Sequence, residues 1–256
     1  MKKSMYCLAL IVAGAFMLSS NTSLYAASTD DRIETSAKKT YVFKTYLKGD
    51  DIKVNSKDGA VTLTGTVSDD SHKALARETV ASLPGVKSVD NNLKTKGEGS
   101  AANTDAWLIT KVKFALLFHR NVNAGTEVLA NNGTVTLRGE AASMAQKDLT
   151  TEYAKDVEGV KDVRNEMTAP AAAGKTAVAK KVDAVAVAID DASITALVKT
   201  TLLSHRSTSA LSTTVKTKNG VVTLGGKAKN VAEKDLAGKL VSDVHGVKKV
   251  VNNMSI

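Results

Sequence analysis

The 256-residue sequence predicts an α+β protein made of three tandem modules, each with the element order αββαβ. The first observation is a repeated hairpin: "KDGAVTLTGT" at 57–66 returns as "NNGTVTLRGE" at 131–140 and "KNGVVTLGGK" at 218–227. The second is that glycines, valines and asparagines follow each copy at the same spacing, without a gap. We therefore expect each module to pack two helices on one face of a small mixed three-stranded sheet.

Residues 1–26 are predicted to be a signal peptide. Lys2 and Lys3 precede an apolar run over 5–18, and a small residue, Ala26, stands before the expected cleavage point. The run is shorter than the ~20 residues that a spanning helix needs. Cys7, the single cysteine, lies inside this run and not in the context of a lipid-attachment cysteine. We expect a soluble protein of the periplasm that contains no disulfide after cleavage.

Each hairpin begins at a dipeptide that favours a two-residue turn. Asp58-Gly59, Asn132-Gly133 and Asn219-Gly220 suit a turn in which both central residues have positive φ. In the strand that follows, Val61 and Leu63 alternate with threonines, which predicts a sheet with one buried face.

The next segment has the spacing of an amphipathic helix. Apolar or small residues recur at i, i+4, i+5 and i+8 in all three copies. These stripes are Leu75, Thr79, Val80 and Leu83; Leu149, Tyr153, Ala154 and Val157; Leu236, Leu240, Val241 and Val244. We expect Gly85, Gly159 and Gly246 to be left-handed residues at the helix C-terminus. A helix between strands two and three makes the third strand parallel to the second.

A further helix precedes each hairpin and completes the module. Its inner face is expected to carry Leu108, Val112 and Leu116 in copy two, Ile194, Val198 and Leu202 in copy three, and Ile33, Ala37 and Tyr41 in copy one. The predicted modules span 28–95, 104–168 and 190–256. Residues 96–103 are interpreted as a flexible linker, and the Ala-rich stretch 169–189 as either a linker or a helix.

The repeated pattern Gly-x-Val-x-Leu-x-Gly, an amphipathic helix, and then Gly-Val-x-x-Val-x-Asn resembles the BON domain family, named for bacterial OsmY and nodulation proteins. The resemblance covers about 200 residues in three copies, behind the predicted signal peptide. It implies an OsmY-like periplasmic protein of the osmotic stress response that contacts phospholipid surfaces. The same resemblance also supports a soluble chaperone for unfolded envelope proteins.

No motif for catalysis, a metal or a cofactor is found in the sequence. The histidines His72, His119, His205 and His245 lack metal-ligand spacing, and no nucleophile elbow or phosphate loop is present. His119 and His205 follow the first helices of copies two and three, where a cation complements a helix C-terminus. We expect a protein that is not an enzyme and has no small-molecule substrate.

The aromatic residues are distributed unequally among the copies. Trp107, Phe114 and Phe118 form a second stripe on the first helix of copy two, with Lys111 beside it, well off the inward face. One interpretation is that this stripe packs against a neighbouring module. The other is that it is a docking surface for lipid or for an unfolded client.

The positive charge is concentrated in the third copy. Strict alternation places Lys216, Lys218, Lys227 and Lys229 on the open face of its sheet. This face is interpreted either as an anion-binding surface or as a merely solvated one. An exported protein does not meet nucleic acid, so the expected partner is an anionic phospholipid membrane or an unfolded envelope protein. A third possibility is a structural adaptor that binds another protein.

Overall fold

The computed structural model describes residues 22–96, 104–122, 125–170, 188–208 and 213–256, with side chains from residue 29 onward. Within these ranges it contains seven helices and three separate three-stranded sheets. This confirms the predicted α+β architecture of three tandem modules. Most of the predicted signal peptide, most of the 96–103 linker and most of the 169–189 stretch lie outside the described residues.

Module 1 contains a broken first helix. Its elements are α1 (Thr22–Lys39), α2 (Tyr41–Thr45), β1 (Asp51–Lys57), β2 (Ala60–Val67), α3 (Asp70–Ala81) and β3 (Ser88–Thr95). Thr40 separates the two helical pieces, and its side chain accepts a hydrogen bond from the backbone N–H of Phe43. Tyr41 therefore begins a new helix and does not continue the inner stripe of Ile33 and Ala37.

Modules 2 and 3 each have a single first helix. The elements of module 2 are α4 (Asp105–Leu117), β4 (Glu127–Asn131), β5 (Thr134–Arg138), α5 (Met144–Lys155) and β6 (Asp162–Asn165). Those of module 3 are α6 (Asp191–Ser204), β7 (Thr213–Lys218), β8 (Val221–Gly226), α7 (Val231–Ser242) and β9 (Lys249–Asn252).

All three sheets have the same strand order, which the sequence does not reveal. The second strand lies in the middle, antiparallel to the first strand and parallel to the third, as the crossover helix predicts. The Val and Leu of each repeated Val-Thr-Leu point into the core: Val61, Leu63, Val135, Leu137, Val222 and Leu224 are all buried.

The hairpin turn of each module is held by a carboxylate from the first helix. The two turn residues have positive φ, for example 50° at Asn132 and 87° at Gly133. Both of their backbone N–H groups donate to Asp105, at 2.8 and 3.0 Å. Asp30 and Asp191 hold the other two turns in the same way. Hydrogen bonds from Ser56 and the turn backbone lower the pKa of Asp30.

The repeated asparagine of the third strand joins that strand to the second helix. The side-chain amides of Asn91, Asn165 and Asn252 donate to the carbonyls of Lys73, Lys147 and Lys234, at 3.0, 2.8 and 2.7 Å. Each asparagine carbonyl oxygen also accepts a backbone N–H two residues further on. This double role explains why the residue occurs in every copy.

The glycine after the second helix is left-handed, but it does not stand where we expected. Helix α7 ends at Ser242, and its C-cap Asp243 is right-handed; Gly246, with φ 86°, comes three residues later. A Cβ at this position would lie 2.9 Å from Cγ1 of Ile194. Gly246 is therefore required by the close contact with the first helix as well as by the turn.

Replacing Asp105 with Ala should unfold module 2 more readily, because two turn N–H groups lose a charged acceptor. We expect a loss of about 1–3 kcal/mol in the free energy of unfolding, measured by urea denaturation. Asp148→Ala, at an exposed position of α5, is the control and should change stability by less than about 0.5 kcal/mol. Equal effects of the two substitutions would contradict the role assigned to Asp105.

Candidate functional site

The aromatic stripe of α4 is a contact between modules. Phe118 is completely buried and Phe114 is only 7% exposed. The ring of Phe118 packs edge-on against Tyr46 of module 1, with centroids 5.3 Å apart, and against Phe114 at 4.6 Å. The interpretation of these two side chains as a docking surface is therefore wrong, because module 1 already covers them.

Trp107 and Lys111 lie apart from this contact and belong to the surface of module 2. Trp107 is partly buried, and its Cζ3 would lie 3.4 Å from a Cβ added at Gly159, an ordinary van der Waals contact. The Lys111 ammonium is 4.1 Å from the centre of the indole ring and 3.1 Å from Oε2 of Glu158. The charge of Lys111 is thus shared between a cation–π contact and an ion pair.

Helix α6 joins module 3 to module 1 on the side where α4 carries its aromatics. The positions equivalent to Trp107 and Phe114 are Ser193 and Thr200, and both are buried. The Ser193 hydroxyl accepts the backbone N–H of Val42 at 3.1 Å. Lys199 pairs with Glu78 of α3 at 3.1 Å. Modules 1 and 3, together with Phe114 and Phe118, form one continuous apolar core.

Modules 2 and 3 are joined by a reciprocal contact at the ends of their helices. The backbone N–H of Arg120, after α4, donates to the carbonyl of Asp243, the C-cap of α7, at 2.9 Å. The N–H of Arg206, after α6, donates in the same way to Asp156, the C-cap of α5, at 2.9 Å. Modules 2 and 3 therefore each supply both a His-Arg pair and an aspartate to the contact. Module 1 has Lys44 and Ser82 at the matching positions.

Two histidines lie at the centre of this joint. The Nε2 atoms of His119 and His205 are 3.2 Å apart, and both side chains are buried. Nδ1 of His205 lies 3.1 Å from Asp156, and Nδ1 of His119 lies 3.3 Å from Asp243. Tyr153 stacks on His119 at 3.8 Å and donates its hydroxyl to Asp243 at 2.8 Å. Both histidines thus lie buried in a contact between modules, which the expectation of a helix-capping cation did not include.

Burial and hydrogen bonds shift the pKa values of several groups in this joint. Burial lowers the pKa of His119, against the opposing effect of Asp243, and it lowers the pKa of His245. Burial raises the pKa of the Tyr153 hydroxyl, and Asp243 raises it further. Burial by itself raises the pKa of Asp156, but the hydrogen bonds from His205 and Ser207 bring the pKa below its ordinary value.

The open face of module 3's sheet carries lysines and no acidic residue. Lys216, Lys218 and Lys227 are exposed, as the alternation predicts. The register adds a lysine that we did not foresee: Lys249 of β9 pairs with Val221, which pairs with Lys218, so these residues share one face. Lys229 lies beyond the end of β8, 3.9 Å from Glu233. We define the basic face by Lys216, Lys218, Lys227 and Lys249.

The equivalent faces of the other modules are closer to neutral. In module 1 the outward positions of the strands hold three lysines and two aspartates: Lys53, Lys57, Lys94, Asp51 and Asp90. In module 2 they hold two arginines and two acids: Arg138, Arg164, Glu127 and Asp162. Module 3 therefore differs from the other two modules because the outward positions of its strands hold three lysines and no acidic residue.

A cleft of about 550 Å³ opens where the three modules meet. Its polar lining includes His72, Asp69 and Lys113. His72 is paired with Asp50 at 2.6 Å, and Asp69 caps α3. His72 and Asp69 therefore already make structural contacts within module 1. The basic face presents more charged side chains that are exposed to solvent.

No group of three His, Cys, Asp or Glu side chains in the described parts of the chain is placed to hold a metal ion. No helix within the described ranges combines the length and apolar character needed to cross a membrane.

Comparison with known proteins identifies the family of the modules. The BON domain matches at residues 29–97, 104–171 and 190–256. The osmotically-inducible protein Y of Escherichia coli (strain K12) is 28% identical over 204 residues, which are 79% of this chain and 96% of that protein. The 21 kDa hemolysin of Actinobacillus pleuropneumoniae is 32% identical over 128 residues, 50% of this chain and 60% of that protein.

A solved structure of CdsD, a structural protein of the type III secretion system of Chlamydia trachomatis, aligns with 87% of this chain and 89% of its own. The two are 16% identical, and the TM-score is 0.24. A score of this size carries no argument about the arrangement of the modules.

Replacing Phe118 with Ala should destabilise the protein strongly, since a completely buried ring is lost from the contact between modules 1 and 2. We expect a cost of about 3–5 kcal/mol, measured by thermal and urea unfolding. Leu117→Ala, at the exposed neighbouring position, is the control and should cost about 0.5 kcal/mol or less. A docking surface open to solvent would instead tolerate Phe118→Ala with little loss of stability.

Proposed function

The chain belongs to the BON domain family, and on that basis we propose that it is a non-enzymatic periplasmic protein that maintains the envelope under osmotic or related stress. It makes peripheral contact with anionic phospholipid surfaces through the basic face of module 3. The name of the Escherichia coli relative supports the class of stress, and the predicted signal peptide supports the compartment.

The basic face is the observation that carries this proposal. Near an anionic bilayer each lysine contributes about 1 kcal/mol, so four lysines contribute about 4 kcal/mol. That energy corresponds to roughly a thousandfold enrichment at the surface. It supports reversible attachment that salt weakens, because exposed charges are screened beyond about 10 Å at 0.1 M salt.

The buried aromatics change the expected character of the binding. Phe114 and Phe118 are enclosed between modules, so they have no apolar surface to insert into a membrane while the modules stay joined. Binding through module 3 is then almost purely electrostatic. It should depend on the charge of the lipid and on ionic strength more than on the packing of the acyl chains.

A second candidate function, chaperoning of unfolded envelope proteins, is favoured by a different observation. A cleft of about 390 Å³ between α5 and α7 is lined by Leu149, Tyr153, Leu236 and Leu240. Met144 and Val231, the first residues of these two helices, are 48% and 58% exposed. The apolar lining of the cleft and the exposed apolar side chains of the same two helices offer an unfolded client a place to bind.

The lipid proposal is tested by sedimentation with phosphatidylcholine vesicles that contain or lack phosphatidylglycerol. We expect the wild-type protein to sediment only with the anionic vesicles, and less so as salt is added. The triple variant Lys216→Glu, Lys218→Glu and Lys249→Glu should bind about a hundredfold more weakly. The matched control reverses Lys53, Lys57 and Lys94 on the module 1 face and should retain most of the binding.

Equal sedimentation with both kinds of vesicle, or equal losses in the two triple variants, would overturn the lipid proposal. The chaperone alternative is measured separately, as suppression of the aggregation of a denatured client. Leu149→Ser with Leu236→Ser should abolish that suppression, whereas the lysine reversals and Leu117→Ser should leave it intact.

A further inference from the structure

When both histidines at the joint between modules 2 and 3 are neutral, their contacts fix which ring nitrogen of each histidine carries the proton. The facing Nε2 atoms are 3.2 Å apart, so one of them must donate and the other accept. His205 Nδ1 lies 3.1 Å from the Asp156 carboxylate and donates to it, which leaves its Nε2 as the acceptor. His119 therefore donates through Nε2, and its Nδ1 carries no proton.

The bare Nδ1 of His119 is the place where a further proton would bind. It has no hydrogen-bond partner, although Oδ2 of Asp243 lies 3.3 Å away. That oxygen already accepts the hydroxyl of Tyr153. A third ring proton would therefore create a completely buried cation, and among the described residues Asp243 is the carboxylate that faces it.

The other charged groups around His119 oppose this added charge. His205 approaches from the end of α6, and His245 from the segment after α7. Arg120, on His119's own side of the joint, has its Nε 3.8 Å from Asp243 and competes for the same carboxylate. Asn121 also donates to Asp243. Burial, together with His205 and His245, is the reason that the pKa of His119 is lowered, against the opposing effect of Asp243.

We propose that the joint is an acid-sensitive latch: modules 2 and 3 stay together while the histidine pair holds two ring protons, and they separate in mildly acidic solution when it takes a third. In the separated modules His119 reaches water and binds a proton at the ordinary value for histidine, near 6.5. Since the joined state binds the proton less readily, its stability is complete above that pH and falls as the solution becomes more acidic.

The latch is specific to one of the contacts between modules. Module 1 has Lys44 and Ser82 at the positions of the histidine and the aspartate, and its contact with module 3 includes the Lys199–Glu78 pair. Opening the latch uncovers Leu240 of module 3, which packs in the core of module 2, and Tyr153, which contacts Asp243 and His205 across the joint. An acid pH thus exposes apolar surface that is covered at neutral pH, a response beyond the function proposed above.

The test measures the distance between modules 2 and 3 as a function of pH. Spin labels are placed on Arg164→Cys and Lys249→Cys, two exposed positions on the sheets of the two modules, in the full chain with Cys7→Ser. We expect a single distance at pH 7.5 and a growing population of longer distances towards pH 5.5. One titrating proton changes the ratio of the two populations by at most about tenfold per pH unit.

His119→Gln and His205→Gln should each give a distance distribution that is independent of pH over this range. His72→Gln removes a histidine that pairs within module 1 and should keep the wild-type response. Proton NMR titration of the unsubstituted protein gives a second measurement that needs no variant at the joint, and it should place the pKa values of two histidines, His119 and His245, below 6.5.

Three outcomes would overturn the latch. One is an unchanged distance down to pH 5.5, and another is an unaltered pH response in the His119 variant. The third is a loss of helical circular dichroism at the same pH as the separation, which would show general acid unfolding and not the opening of a joint.

Discussion

Helix α6 is buried on nearly all sides, and the need to cover it brings the three modules together. Nine of its residues are buried, including the polar Ser193, Thr195, Thr200 and Thr201. A unit of fewer than seventy residues has a small core of its own. By packing α6 along α3, modules 1 and 3 share one core, and Phe118 of module 2 enters the same core.

The second contact is organised by pseudo-symmetry. Modules 2 and 3 present the same surface to each other, as the two subunits of an isologous dimer do, with a His-Arg pair meeting the partner's aspartate twice. Two copies of one module can form such a contact when a few shared positions diverge together. Module 1 lacks both the His-Arg pair and the aspartate, and other residues join it to its neighbours. A repeated fold therefore gives an asymmetric protein.

Local features of this fold could be predicted from the sequence, because a single element determines each of them. The positive φ at Asn132-Gly133 and the burial of Val61 and Leu63 follow from turn chemistry and from alternation. The aspartate that holds each turn could also have been found, since Asp30, Asp105 and Asp191 recur 28 or 29 residues before the turn glycine. The parallel third strand follows from the crossover helix.

Features that depend on distant partners could not be predicted in the same way. An aromatic stripe such as Phe114 and Phe118 suits a neighbouring module and a membrane equally well, and only the position of Tyr46 decides between them. His119 and His205 are 86 residues apart, so their pairing leaves no local pattern. Lys249 joined the basic face through the strand order, which periodicity does not contain.

The self-complementary form of the joint has a consequence for how chains associate. Modules 2 and 3 each carry both the His-Arg pair and the aspartate that contacts it. The same surfaces therefore fit together between two chains as well as within one. Within a chain the two modules are covalently connected, which raises their effective concentration relative to each other. Intramolecular pairing therefore prevails in dilute solution, whereas crowding at high local density favours exchange of modules between neighbouring molecules.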